Sequence, residues 1–402
     1  MLKSPSKPLT ITAFSWSVGV YYGAIFLIVG LNTAYFPVWL DWKGLTAGQI
    51  GLVFAIPHFV AILTTPVLSY WVDGLGDRRR ALLLLSCGVL ASFSMLLGAD
   101  SFSAVLLIQL FYALFWSTIM PVTEAVAMSG VRRQGLNYGR MRLWGSLSFI
   151  AASLAGGYMV DLWGAQSVLW MLLGGAVLLV YSAFHMSSMV PDRGTGDVPL
   201  IQNRLKLAEG LPYLLTPAFL CFLATAGLIQ SAHALFYAFG TLHWQSTGLS
   251  TIEIGRLWSI GVVAEILLFA YSNRVIQLVG SRWLLTIAAV AVVIRWSGLA
   301  LEPPLIALYG LQILHGLTFG AAHLAAVHYI SETIPENFSA TAQGVYSAVN
   351  AGIFMGSAKL AAGILYGSYA GQAYFAMAAM GGVALLLSLI LVGQQNKRAP
   401  TT

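Results

Sequence analysis

Runs of about twenty apolar residues recur along the whole chain, separated by short polar segments. A helix needs about 20 such residues to cross a bilayer. Only helices and closed barrels can cross it, because backbone groups find no water in the hydrocarbon. The runs fall at 14–40, 48–72, 80–98, 102–127, 141–161, 166–187, 213–239, 252–272, 283–301, 304–330, 341–367 and 372–393. Hydrophobic residues make up 58% and charged residues 8% of the chain, whereas a soluble domain carries about 25% charged residues. The expected class is an all-α membrane protein with twelve transmembrane helices.

Lysines and arginines set the orientation. With both termini inside, the outer loops hold only Lys43, and Arg142, Arg256, Arg295 and Lys359 fall within spans. The other fifteen of the 20 basic residues fall in cytoplasmic segments. The net charge of +6 therefore marks one membrane face and not a nucleic-acid surface. The start, MLKSPSKPLT, runs into a span-length segment with no small-residue cleavage site. Cys87 and Cys221 lie in apolar runs without disulfide or metal spacing. The expected location is a bacterial-type inner membrane.

The longest polar stretch, SSMVPDRGTGDVPLIQNRLKLAEG, lies at the midpoint. The expected organisation is a cytoplasmic tail at 1–13, a six-helix bundle at 14–187, a cytoplasmic linker at 188–211, a second six-helix bundle at 212–393 and a tail at 394–402. The halves resemble each other. LTAGQIGLVFAI (45–56) aligns with LSTIEIGRLWSI (249–260), and LAGGYMVDLWGAQSVLWM (154–171) with LAAGILYGSYAGQAYFAM (360–377). Repeats at half the chain length indicate duplicated units with a solute site between them near mid-membrane.

The segment WVDGLGDRRR resembles the loop signature of the major facilitator superfamily, with Asp73, Gly76 and Arg78 in the signature positions and Gly74 where a basic residue is usual. The resemblance implies a gating loop in which the carboxylate meets helix-end dipoles and arginines. AYFPVWL (34–40), PVTEAVA (121–127), YGRMRLWGS (138–146), AHALFYAF (232–239), GRLWSIGVVAEILLFAYSN (255–273), VIRW (293–296), LQILHG (311–316) and HLAAVHYI (323–330) follow in order. Together they resemble the phenylpropionate permease family and, more distantly, sugar–proton symporters of the lactose permease type. The resemblance spans nearly all of 14–393. It implies two pseudo-symmetric six-helix bundles, the major facilitator fold.

An ionisable group at the bilayer centre costs about 2.5 kcal/mol or more and marks a pathway or a buried pair. Of fourteen acidic residues only Glu124 and Glu265 sit well inside apolar runs. Glu124 and Arg142 fall at one depth on neighbouring helices and are expected to pair. Arg140, two residues from Arg142, points about 200° away and reads as a cytoplasmic lip charge. Glu265, Arg295 and His315 each lie near the middle of a span. In the lactose permease type, the matching residues bind substrate and couple protons. The resemblance thus assigns substrate binding to Glu124, Arg142 and Arg295, and proton coupling to Glu265, Arg295 and His315. Two departures weaken a lactose-like reading. Thr318 stands where that type has a proton-releasing glutamate, and Phe149 stands where it has a sugar-stacking tryptophan.

His233 and His323 are further candidates for lining the site, His323 lying two turns from His315 on nearly the same face. A satisfied polar group between helices is the plainer reading of each. His58, beside Pro57, reads as helix packing or cavity lining. Lys359 could attract an anion or snorkel to an interface.

No nucleotide-binding motif, metal spacing or soluble catalytic domain appears in the sequence. The expectation is therefore a non-enzymatic secondary transporter, active as a monomer, with no cofactor beyond the proton gradient. Its partners are a small solute and the proton. Resemblance points to proton-driven import of an aromatic carboxylate such as 3-phenylpropionate. A sugar or nucleoside symporter and a proton-driven efflux pump are the alternatives.

Overall fold

The computed structural model describes residues 7–75, 77–186 and 212–396, with side chains left aside at 7–12, 73, 133, 337, 340, 395 and 396. The expected linker at 188–211 lies outside the described residues. Gly76 and the Asp73 side chain of the expected gating loop lie outside them too.

The described residues are helical almost throughout. The first unit is built on α1 (Lys7–Ala34), α2 (Phe36–Trp42), α3 (Ala47–Leu75), α4 (Arg78–Met95), α5 (Phe102–Gln134), α6 (Tyr138–Trp163) and α7 (Ser167–Phe184). The second holds α8 (Pro217–Ser231), α9 (Ala234–Ser246), α10 (Thr251–Ala270), α11 (Ser272–Val279), α12 (Ser281–Ala300), α13 (Leu305–Ile313), α14 (Ala322–Thr333), α15 (Glu336–Ser347), α16 (Met355–Tyr369) and α17 (Tyr374–Asn396). Two short segments cross this division: Thr46–Phe59, at the start of α3, belongs to the second compact unit, and Ser250–Gly255 belongs to the first.

Local chemistry sets many helix ends. The Asp77, Ser101, Asn137 and Thr216 side chains accept from the backbone N–H three residues on, capping α4, α5, α6 and α8. Gly135 closes α5 at a φ of 65°, a conformation that costs a side-chain-bearing residue more.

Among the described residues, ten stretches are long and apolar enough to cross a membrane. One of them, Thr341–Gln394, contains the last two expected spans. The expected span at 252–272 is helical as α10, but it carries Glu253, Arg256 and Glu265 and is not among the ten. Many of the large exposed side chains are apolar, Leu63, Leu107 and Ile306 among them. Such a surface suits lipid and not water.

Several expected spans are interrupted. The run 14–40 breaks at Tyr35, where Pro37 follows at the start of α2 and removes a helical donor. The run 213–239 breaks between Ser231 and Ala234, at His233. Wider π-helical turns interrupt 304–330 at Gly316–Ala321 and 341–367 at Ala348–Phe354. Such turns occur frequently at functional sites.

In the first unit α1 packs on α6 and α7, and α4 on α5 and α7. Tyr21 on α1 meets Ser86 on α4 at 2.9 Å, and the Tyr35 hydroxyl donates to the Ser153 carbonyl at 2.6 Å. In the second unit α12 packs on α17 and α14, and α17 on α8. This packing buries Arg295, Trp296 and His233 completely.

Candidate functional site

In the first unit the candidate charged residues gather where α5 and α6 meet. The tight turn at 135–137 folds α6 back beside the end of α5, so Tyr138 donates its hydroxyl to Glu124 Oε1 at 3.1 Å. Arg142, one turn further along α6, lays its guanidinium over the Phe26 ring of α1, with Cζ 3.9 Å from the centroid. The Tyr22 ring is 5.8 Å away, and its hydroxyl lies in the field of both Glu124 and Arg142. Gly145 makes the room: a Cβ there would sit 2.8 Å from Arg142 Nη1 and 2.7 Å from Phe26 Cδ2.

The direct Glu124–Arg142 ion pair expected from the sequence is not formed. Among the described residues no carboxylate lies within ion-pair reach of Arg142, and its Nη1 is buried without a hydrogen-bond partner. Tyr138 engages the carboxylate and Phe26 the guanidinium, with Tyr22 near both. Phe149, two turns beyond Arg142, is half-buried and packs its backbone against Gly30 of α1.

The second unit brings most of the remaining candidates together. Arg295 on α12 is 0% exposed. Its Nη1 donates to His315 Nδ1 at 3.1 Å and to Thr318 Oγ1 at 3.0 Å, and its Nη2 donates to Gln312 Oε1 at 2.8 Å. Trp296 and Phe236 flank the guanidinium, with centroids 4.5 and 5.1 Å from Cζ. A buried arginine needs such donors' partners and ring faces, because its charge cannot be shed.

These bonds assign the imidazole tautomers. A guanidinium only donates, so His315 Nδ1 is an acceptor and its proton sits on Nε2. That nitrogen faces Glu265 Oε2 at 3.7 Å, beyond hydrogen-bond length and within ion-pair reach. His233 Nδ1 must donate to the Gln230 carbonyl at 3.0 Å, so its Nε2 accepts from the Thr318 hydroxyl at 3.0 Å. Thr318 therefore takes a bond from Arg295 and passes one to His233. The chain Glu265–His315–Arg295–Thr318–His233 ties together α10, the π-helical segment, α12 and the break before α9.

Close backbone approach makes this possible. A Cβ at Gly316 would meet the Ala264 carbonyl oxygen at 2.9 Å, so only glycine lets the segment beside His315 lie against the residue before Glu265. His323 is exposed. Its ring is parallel to Phe319 at 6.5 Å, and Phe319 stacks on His315 at 5.3 Å. Three rings at four-residue spacing thus line one helix face, as the sequence spacing of His315 and His323 leads one to expect.

Thr318, Gln312, Tyr138 and Phe26 carry much of this geometry and were not among the expected site residues. Gln312 and Thr318 sit three residues either side of His315, a spacing that places them on its face. Arg78, from the expected gating loop, opens α4 behind the Asp77 cap. A groove of about 840 Å³ in the first unit, lined by Leu27, Leu31, Met159, Trp163 and Trp170 among others, contains none of these charged residues. It lacks the polar groups that orient a polar solute.

Residues 15–377 match the MFS_1 like family. The chain is 31% identical to the "Probable 3-phenylpropionic acid transporter" of Escherichia coli (strain K12) over 360 residues, covering 88% of this chain and 91% of that one. It is 28% identical to the maltose permease of Geobacillus stearothermophilus over 394 residues, 94% of this chain and 96% of the other. Among solved structures it matches the nucleoside transporter NupG with a TM-score of 0.80 at 15% identity, over 94% of this chain and 98% of that chain. Helices of membrane-spanning length, a family match over most of their extent and this fold agree: the chain belongs to the MFS_1-like family and is a multi-pass major facilitator superfamily transporter, not an enzyme.

Proposed function

We propose that this transporter is a proton symporter importing a small aromatic carboxylate, such as 3-phenylpropionate, by alternating access. The observation that carries the reading is the Glu265–His315–Arg295 chain. Glu265 takes or releases the proton. His315 presents Nε2–H to that carboxylate and Nδ1 to Arg295, so each change of charge at Glu265 is felt at the guanidinium through one ring. Glu124, Arg142 and Phe149 in the first unit, and His233, Arg295 and His323 in the second, contribute to solute binding. Asp73, Gly76 and Arg78 serve as the gating loop. The working unit is a monomer with both termini in the cytoplasm.

Charge supports coupling. Carrying a monoanion into a cell that is negative inside costs about 2.3 kcal/mol per 100 mV. One proton moved with it cancels that cost. The relative from Escherichia coli supports the substrate class. The maltose permease similarity favours a second reading, in which Glu124 and Tyr138 meet sugar hydroxyls.

Proteoliposomes with an imposed inward proton gradient test both. The expected result is accumulation of labelled 3-phenylpropionate that a protonophore abolishes. Accumulation of maltose alone would overturn the aromatic-acid reading, and uptake indifferent to the protonophore would overturn coupling.

A further inference from the structure

The second unit contains another ionisable group that the coupling chain does not use. Lys359 lies in the second turn of α16, within the apolar run 341–367. Its Nζ is 2.9 Å from His58 Nε2. His58 belongs to the Thr46–Phe59 segment of the same unit. Its Nδ1 sits 2.8 Å from the Ala351 carbonyl, in the π-helical turn before α16. A carbonyl only accepts, so Nδ1 carries the proton and Nε2 is a bare acceptor. The ammonium therefore donates to a neutral imidazole.

Phe54, one turn before His58, places its ring centroid 5.3 Å from Nζ. Lys359 is thus held from two sides, by a ring face and by an imidazole. Neither neighbour carries a negative charge. Among the described residues no carboxylate lies within 4.0 Å of Nζ, and one of the three ammonium donors is engaged. A cation held in an apolar run without a counter-ion is costly. Such a residue marks a functional site by default, and an arriving anion would supply the charge that is missing.

Arg295 is a poorer acceptor for such an anion. It is fully buried and both its terminal nitrogens are bound to neighbours. Lys359 is half-buried as a residue, and His58 takes one of its three ammonium donors. It also lies one turn before Gly363, where α16 and α3 meet so closely that a Cβ on Gly363 would be 2.9 Å from the Gly51 Cα. Lys359 lies one turn and His58 two turns along from that contact, on the two helices that make it.

We infer that Lys359, positioned by His58 and flanked by Phe54, is the carboxylate-binding residue of the transported solute. The inference rests on the aromatic-acid reading above. The solute's carboxylate takes two N–H donors of the ammonium and supplies the missing negative charge. Phe54 offers an apolar face for the organic body. His58 holds Nζ in place while the site is empty.

Binding to the purified full-length protein tests this, using 3-phenylpropionate and its neutral isostere 3-phenylpropanamide and reading tryptophan fluorescence. The wild type is expected to prefer the acid by about thirtyfold or more, the ratio that corresponds to losing one partner of a desolvated charge pair. Lys359→Gln should bind acid and amide alike, and Lys359→Arg should keep the preference. An undiminished acid preference in Lys359→Gln overturns the assignment and leaves the aromatic-acid reading standing. A wild type that binds neither compound, while binding a sugar, overturns that reading and the assignment with it. Should Lys359→Gln fail to fold, acetylation of Lys359 in the wild type, followed by mass spectrometry, takes its place. Protection by the acid and not by the amide supports the site; equal labelling with either overturns it.

Discussion

Replacing Thr318 by valine keeps the side-chain shape and removes one hydroxyl that is completely buried. That hydroxyl accepts from Arg295 Nη1 and donates to His233 Nε2, both at 3.0 Å. A hydrogen bond to a charged group contributes about 1.5–3 kcal/mol. The neutral bond to His233 contributes less inside a membrane bundle, about 0.6 kcal/mol, because the unfolded chain in lipid also finds partners. The expected loss for Thr318→Val is thus about 2–3.5 kcal/mol. Reversible unfolding in mixed detergent micelles measures it. Thr318→Ser retains the hydroxyl and should recover most of the loss, which separates hydrogen bonding from the missing methyl. A valine variant within about 0.5 kcal/mol of wild type would refute the assigned network, since surface-like substitutions fall in that range. It would mean that Arg295 is held by His315 and Gln312 alone.

Glu265→Gln removes the ionisable group and keeps its size, so counterflow exchange of solute should persist while uphill accumulation is lost; normal accumulation removes Glu265 from the coupling step. Gly145→Ala puts a methyl 2.8 Å from Arg142 Nη1 and forces the guanidinium off Phe26, lowering stability by about 1 kcal/mol in a thermal unfolding series. An unchanged melting temperature there would show that the ring contact is dispensable. Ser101→Ala deletes the cap of α5 and should cost about 1 kcal/mol without altering solute affinity, which binding on the same preparation checks.

The candidate site was legible in the sequence to different depths. Glu265, Arg295 and His315 stood out because each is a lone ionisable residue in an apolar run, and that rarity survives any uncertainty in helix boundaries. The structure joins them in one chain through His315. Thr318 looked like a loss, a neutral residue in place of an acid. Its hydroxyl proves to be the bridge between Arg295 and His233. Glu124 and Arg142 were expected to pair because they fall at one depth on neighbouring helices. Depth does not specify rotamer, and Tyr138 and Phe26 claim the two groups separately. His58 and Lys359 are 301 positions apart, and no local pattern relates them.

From the sequence come the class, most of the span positions and the list of ionisable residues in apolar runs, because hydrophobic length and charge rarity are local quantities. The helix interruptions were hidden within those spans. A break at His233 and π-helical turns beside His315 and Ala351 preserve the apolar run, so hydropathy does not register them. Only the tertiary structure decided which charges meet. Hydrogen-bond direction, imidazole tautomer and the choice between a carboxylate and an aromatic face depend on contacts across helices, and those follow from packing and not from spacing along the chain.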